Sequence, residues 1–114
     1  MPFINVKTNA ALSGDKKLAI ENKLSDAISL IPGKSDRYLM LAVEDNVSMM
    51  FHRDTDCAIA MVEVKIFGSS TKDAYEKLTG AICDVLSEEA GVDGSCCYVK
   101  FEECKLWGYN SFMF

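Results

Sequence analysis

The sequence predicts an α+β fold: tandem β-α-β repeats that form a four-stranded mixed sheet with two helices on one face. Three observations carry this reading. Each half of the chain reads strand, amphipathic helix, strand. Each helix has a glycine just beyond it, Gly33 in the first half and Gly91 in the second. Tyr38-Leu39-Met40 and Tyr98-Val99-Lys100 then lie at equivalent places in the two closing strands.

The first stretch, Met1-Pro2-Phe3-Ile4-Asn5-Val6-Lys7-Thr8, is expected to be a strand starting at the second residue. Ile4, Val6 and Thr8 fall on one face, with Phe3, Asn5 and Lys7 on the other. Proline is tolerated at the first strand position, where its missing N–H costs least. Aminopeptidases generally strip an initiator methionine that precedes a small residue such as proline. Removal leaves Pro2 with a free secondary amine, held at the end of a strand. Such an amine serves as a general base when desolvation or nearby cations lower its pKa towards neutrality. The plainer reading of Pro2 is a strand-edge breaker and nothing more.

Asn9 to Ser13 form a polar loop, with Ser13 as the expected N-cap of the first helix. Ile20, Leu24, Ala27, Ile28 and Ile31 then mark one face of that helix, and Pro32-Gly33 stop it. The apolar run from Tyr38 to Val43 is of strand length. Glu44-Asp45-Asn46 turn the chain, Val47 to Phe51 are expected to form a short edge strand, and His52 to Asp56 a charged loop. In the second half, Cys57 to Ile66 read as a long strand. Phe67-Gly68-Ser69-Ser70 lead into a helix, where Ser70 and Asp73 resemble a capping box. Ala74, Leu78, Ala81, Ile82, Val85 and Leu86 form its apolar stripe. Gly80 interrupts this helix at a cost of about 1 kcal/mol, which suggests close packing on the sheet. Cys97 to Glu102 are the last long strand, followed by a tail rich in aromatics.

Both helices cover one sheet face, yet the runs Tyr38–Val43 and Cys57–Val62 are apolar on both faces. Strands of that kind need a second covering layer, and the chain has no third helix to supply it. Association of subunits, sheet face to sheet face, is the expected solution.

With 114 residues the chain is expected to be a single domain spanning 1–114. A net charge of −5 and the lack of a Lys/Arg run argue against nucleic acid and anionic membranes as partners. No apolar run approaches a membrane span, and the N-terminus lacks a signal-peptide pattern. The expected location is cytoplasmic, or outside the cell by leaderless secretion. Five cysteines, with Cys96 and Cys97 adjacent, suit no disulfide framework and read as reduced, mostly buried thiols.

His52 is the only histidine, which excludes a two-histidine metal site within one chain; in its polar loop it reads as solvated. Neither a metal motif nor a Gly-rich phosphate loop occurs, so no metal or cofactor is expected. Lys34 follows the first helix closely, Lys65 lies in the long strand, and Tyr98 and Lys100 project from one sheet face. Singly, each lysine reads as solvated surface. Beside an N-terminal proline, the cluster becomes a candidate site.

These features form an ordered set: Met1-Pro2, a first strand ending Lys7-Thr8-Asn9, Gly33-Lys34, Tyr38-Leu39-Met40, Cys57-Ala58, a Gly-containing second helix, Tyr98-Val99, and a Trp107-Gly108-Tyr109-Asn110-Ser111 tail. Together they resemble the macrophage migration inhibitory factor family of the tautomerase superfamily, over essentially the whole chain. The resemblance implies a homotrimer whose sheets enclose a central channel. It also implies keto–enol tautomerisation of aryl pyruvates, a class of 2-oxo acid, at subunit interfaces and without cofactor. Carried over residue by residue, Pro2 is the base, Lys34 binds the substrate carboxylate, and Tyr98 comes from the neighbouring subunit. Phe3, Tyr38, Trp107, Tyr109 and Phe114 form the aromatic wall.

The chain also departs from the family pattern. Val64-Lys65-Ile66 replaces the usual Ser-Ile-Gly, Lys100 the usual Asn, and Phe51-His52-Arg53-Asp54 the usual Phe-Gly-Gly-Ser. Ser35 replaces a proline, and Ala60 stands where some relatives have a second cysteine. Lys65 and Lys100 thereby become candidate substrate-binding residues. The leading expectation is a phenylpyruvate tautomerase-like enzyme. A second is a cytokine-like protein that binds a cell-surface receptor, with Pro2 a relic. Hydration or decarboxylation of small unsaturated acids fits less well, since such sites use several arginines and this chain has only Arg37 and Arg53.

Overall fold

The computed structural model describes residues 1–114. Its main-chain order is β1 (Pro2–Thr8), α1 (Gly14–Ala27), β2 (Met40–Glu44), β3 (Ala60–Phe67), α2 (Lys72–Ala90), β4 (Cys97–Cys104), β5 (Gly108–Tyr109) and β6 (Phe112–Met113). The first four long strands form one sheet in the order β2-β1-β3-β4. β1 pairs parallel with β2, and β3 parallel with β4. Parallel neighbours need a crossover, and each helix supplies one. The two β-α-β units meet where β1 runs antiparallel to β3, so the sheet is mixed, as expected.

Register aligns the apolar residues into one layer. Ile4 lies between Leu41 and Val64, and Val6 between Val43 and Val62. Val99 and Phe101 continue the same rows on β4. Ile20, Leu24 and Ile28 from the first helical segment, with Leu78, Ile82 and Leu86 from α2, bury against this face at 0% exposure. The side-chain oxygen of Ser13 accepts from the Lys16 N–H, the N-cap that the sequence predicts. Gly91, at φ +66°, ends α2 in the left-handed conformation that glycine adopts without a Cβ clash.

Several local expectations are corrected. Asp36–Tyr38 form a 3-10 turn, so β2 begins at Met40 rather than at Tyr38. Val47 to Phe51 pair with no strand of this chain. Instead Phe51 and Asp54 exchange backbone bonds of 3.0 and 2.9 Å around His52 and Arg53, both at positive φ. The cap of α2 is Thr71, whose hydroxyl accepts from Ala74; the Ser70 N–H is taken by the Tyr75 hydroxyl at 2.9 Å. Gly80 is not in close contact with the sheet: a Cβ there meets nothing within 4 Å. All five cysteines are free, but they are half-buried rather than buried. The tail, read only as aromatic-rich, folds into a β5–β6 hairpin with Asn110 and Ser111 at its left-handed turn positions.

The sheet face away from the helices is mixed rather than apolar. Register sets out its rows as Met40–Phe3–Lys65–Glu102, Ala42–Asn5–Glu63–Lys100 and Glu44–Lys7–Met61–Tyr98. The two-sided apolar character is confined to short segments because Cys57-Ala58-Ile59 and Tyr38-Leu39 precede their strands. Exposed Met40 (68%) and Tyr98 (61%) remain at opposite corners of this face. No helix is long and apolar enough to cross a membrane.

Candidate active site

Pro2 opens β1 opposite Ile66, buried, with its ring nitrogen at the strand's end. The Met1 carbonyl before it accepts from the Phe67 N–H at 3.0 Å. Lys34 reaches the same place by another route. Gly33, at φ +82°, turns the chain, and the Lys34 N–H closes onto the Ile31 carbonyl at 3.1 Å. The Lys34 side chain then donates from Nζ to the Phe67 carbonyl at 2.8 Å. The Met1 α-amine is held below its ordinary pKa, first by burial and then by the Lys34 ammonium. Both effects penalise the charged form of an amine.

A cavity of about 700 Å³ opens beside this end of β1. Of the expected wall residues, Phe3, Tyr38, Trp107 and Tyr109 line it with Pro2. Tyr38 meets Tyr109 edge-on at 5.7 Å between ring centroids. Phe114 stands behind this wall, with its ring centroid 6.3 Å from Tyr109 and 5.8 Å from Phe67. The hairpin brings it there: the Phe114 N–H donates to the Trp107 carbonyl at 3.0 Å. Lys65 also lines the cavity, directly across from Phe3 on β3.

Tyr98 and Lys100 are placed elsewhere. Tyr98 lies opposite Met61, which lies opposite Lys7, at the far end of β1 from Pro2. Five residue steps along β1 separate the two positions, roughly 17 Å at the usual rise. Tyr98 packs instead on the Phe51 ring, 4.9 Å between centroids. Lys100 pairs with Glu102 at 3.1 Å, and its hydrogen bond and charge, with a smaller contribution from Lys65, hold the Glu102 carboxyl below its usual range. Within one chain, then, Pro2 and Lys65 share the cavity, Lys34 lies beside that end of the chain without lining it, and Tyr98 and Lys100 lie elsewhere.

Arg37 is the charged cavity residue that sequence reasoning did not place in the site; Leu39, Met40 and Gly108 line it as well. Arg37 sits in the 3-10 turn capped by Ser35, its guanidinium 5.2 Å from the centroid of the Tyr38 ring. The available signal was its adjacency to Tyr38 in a segment leading into a sheet strand.

The sequence model of the family described as macrophage migration inhibitory factor (MIF) matches residues 1–111. The chain belongs to that family. No curated protein sequence matches the chain significantly. Among solved structures, MIF2 of Leishmania major superposes with a TM-score of 0.93 at 23% identity, covering 100% of this chain and 97% of that one. The macrophage migration inhibitory factor homologue of Prochlorococcus marinus gives 0.87 at 24% identity, with 98% of each chain covered. The MIF-like protein of Entamoeba histolytica gives 0.88 at 24% identity, over 99% of this chain and 98% of that one. At these identities the likeness establishes the MIF fold, with the proline at the start of its first strand.

Proposed function

We propose that the chain is a keto–enol tautomerase of aryl-pyruvate-type 2-oxo acids, with the Pro2 nitrogen as general base after removal of Met1. Membership of the MIF/tautomerase superfamily supports a tautomerase-type role. The observation that carries the specific reading is the position of Pro2, in the lining of an aromatic-walled cavity that also holds Lys65 and Arg37. Burial first, and Lys34 second, disfavour the charged form of an amine there, which favours the neutral base that the reaction needs.

In the forward direction Pro2 nitrogen takes a proton from the carbon beside the substrate carbonyl. The electron pair moves to the carbonyl oxygen, the resulting enolate takes a proton from solvent, and the prolyl ammonium gives its proton up to solvent to restore the base. The reverse reaction returns the proton from the prolyl ammonium to carbon. Lys34 holds the substrate carboxylate, and the positive field of Lys34 and Lys65 steadies the enolate charge. The aromatic wall of Phe3, Tyr38, Trp107, Tyr109 and Phe114 accepts the aryl group.

The working form is a homotrimer with sites at subunit interfaces. A tyrosine at the far end of β1 reaches Pro2 only from a second copy, and exposed Met40, Met50 and Tyr98 suit burial between copies. Steady-state assays with phenylpyruvate and 4-hydroxyphenylpyruvate, wild type against Pro2→Ala, test the reading. Turnover that survives Pro2→Ala at full rate excludes the proline mechanism.

A further inference from the structure

We propose that Arg37, together with Lys65, makes this cavity selective for substrates carrying a second anionic group beyond the 2-oxo acid. The inference rests on the reading of the cavity as the tautomerase site. The chain has 17 acidic residues against 12 lysines and arginines, yet no Asp or Glu lines the cavity. Its lysine ion pairs lie elsewhere, at Lys16, Lys17, Lys23, Lys77 and Lys100. Arg37 and Lys65 have no carboxylate within 4.0 Å, the limit for an ion pair. Two cations outside any ion pair therefore line the same space in a chain of opposite net charge, Lys65 with Glu102 opposite it on β4 but beyond ion-pair distance.

Their arrangement is specific. Phe3 pairs with Lys65 on one side and with Met40 on the other, and Arg37 lies three residues before Met40. The two cations thus stand on either side of β1's first residues. Arg37 rests over the Tyr38 ring, an attraction between the guanidinium and the aromatic face that limits the fork's freedom. A planar fork held this way is matched to a carboxylate by two parallel N–H···O bonds. Lys34, beside the amine, takes the α-carboxylate under the proposed mechanism. That leaves Arg37 for a second anion on the far side of the ring, and about 700 Å³ accommodates a ring with two substituents. The substrate class is accordingly a 2-oxo acid whose apolar spacer ends in a carboxylate or a similar anion.

Trp107 is the only tryptophan and lines the cavity, so its fluorescence reports occupancy without turnover. The experiment titrates the purified protein with benzoate and with terephthalate, which share a ring and differ by one carboxylate. Wild type is expected to bind terephthalate roughly tenfold more tightly. Arg37→Gln should bring that ratio to near one while leaving benzoate within about twofold, and Arg37→Lys should fall between, having charge without the fork. Arg53→Gln, at the Phe51–Asp54 turn, should preserve the wild-type ratio. Equal affinities in wild type, no binding of either acid, or an unchanged ratio in Arg37→Gln overturns the proposal. Phenylpyruvate turnover, measured in parallel, decides the tautomerase reading independently. Terephthalate preference without turnover leaves an anion-selective pocket and removes the enzyme, whereas turnover without preference does the reverse.

Discussion

Lys34 and Phe67 meet at the end of the sheet: the Lys34 ammonium donates to the Phe67 carbonyl at 2.8 Å. The N–H of the same phenylalanine holds the Met1 carbonyl at 3.0 Å. One residue of β3 therefore holds both the cation and, until Met1 is removed, the residue that precedes the proposed base. The link depends on β3 running antiparallel to β1, which brings the last residue of one strand beside the start of the other.

The proline mechanism requires a free amine. The intact mass of the mature protein is expected to fall short of the full sequence by one methionine. Pro2→Ala should lower kcat/KM for phenylpyruvate by roughly 10²–10⁴-fold, the usual worth of a positioned acid–base group. A retained Met1 makes the nitrogen an amide and ends the mechanism.

The pH profile follows from the same contact. Burial and Lys34 hold the terminal amine below its ordinary value, and Pro2 is expected to inherit that environment. A base works when deprotonated, so kcat/KM should rise through the amine pKa as pH increases. Lys34→Gln removes the positive charge, raises that pKa and should move the rising limb to higher pH. Lys65→Ile should shift it in the same direction by less, while Lys100→Asn, whose lysine is paired with Glu102, should leave it in place. A limb that stays put in Lys34→Gln removes the electrostatic account.

The assembly is open to a direct measurement. Light scattering at micromolar concentration should return a trimer, unchanged by reducing agent because the thiols are free. Mixed trimers refolded from Pro2→Ala and Tyr98→Ala chains should recover activity that neither variant has alone, since some interfaces then carry both native residues. A stable monomer, or no recovery on mixing, contradicts a shared site.

Cys97 should be inert. Burial first, and the neighbouring Cys83 thiol second, push its pKa up to about 12. Only the thiolate alkylates, so iodoacetamide at pH 8 should leave Cys97 unmodified in the native protein and label it after denaturation. Peptide mass mapping reads the difference, and rapid native labelling of Cys97 refutes the burial argument.

Gly80→Ala should stabilise the protein. A Cβ there meets nothing within 4 Å, and the residue lies inside α2. Relief of glycine's helix penalty is worth about 0.5–1 kcal/mol, or roughly 2–8 °C in Tm at fixed protein concentration. A lowered Tm would mean that Gly80 has a packing role in the assembled protein that the isolated chain lacks.

The element order was legible in the sequence because its signals are local. Alternation placed Ile4, Val6 and Thr8 on one face, and helical spacing placed Ile20, Leu24 and Ile28 on another; all six are buried at 0% exposure. Gly33 and Gly91 were readable as helix ends because only a left-handed residue turns the chain there. Capping was less legible. Ser70 and Thr71 are adjacent hydroxyl residues, and the choice between them rests on Tyr75, whose hydroxyl occupies the Ser70 N–H. The β5–β6 hairpin was missed because Asn110-Ser111 is a weak turn signal beside the strong aromatic composition around it.

By itself, then, the sequence determined the β-α-β duplication, the buried layer and Pro2 at the head of the first strand. Periodicity and punctuation act over a few residues, and burial of the marked faces does the rest. Which cations share a cavity with Pro2 was decided only by tertiary structure. Lys65 and Lys100 look alike in sequence, both lysines on outward strand positions. Register places Lys65 across from Phe3 and Lys100 across from Glu63, where it pairs with Glu102. Arg37 enters the cavity because a 3-10 turn delays β2 until Met40. A spatial neighbourhood of this kind depends on pairings between residues tens of positions apart, and no local pattern encodes it.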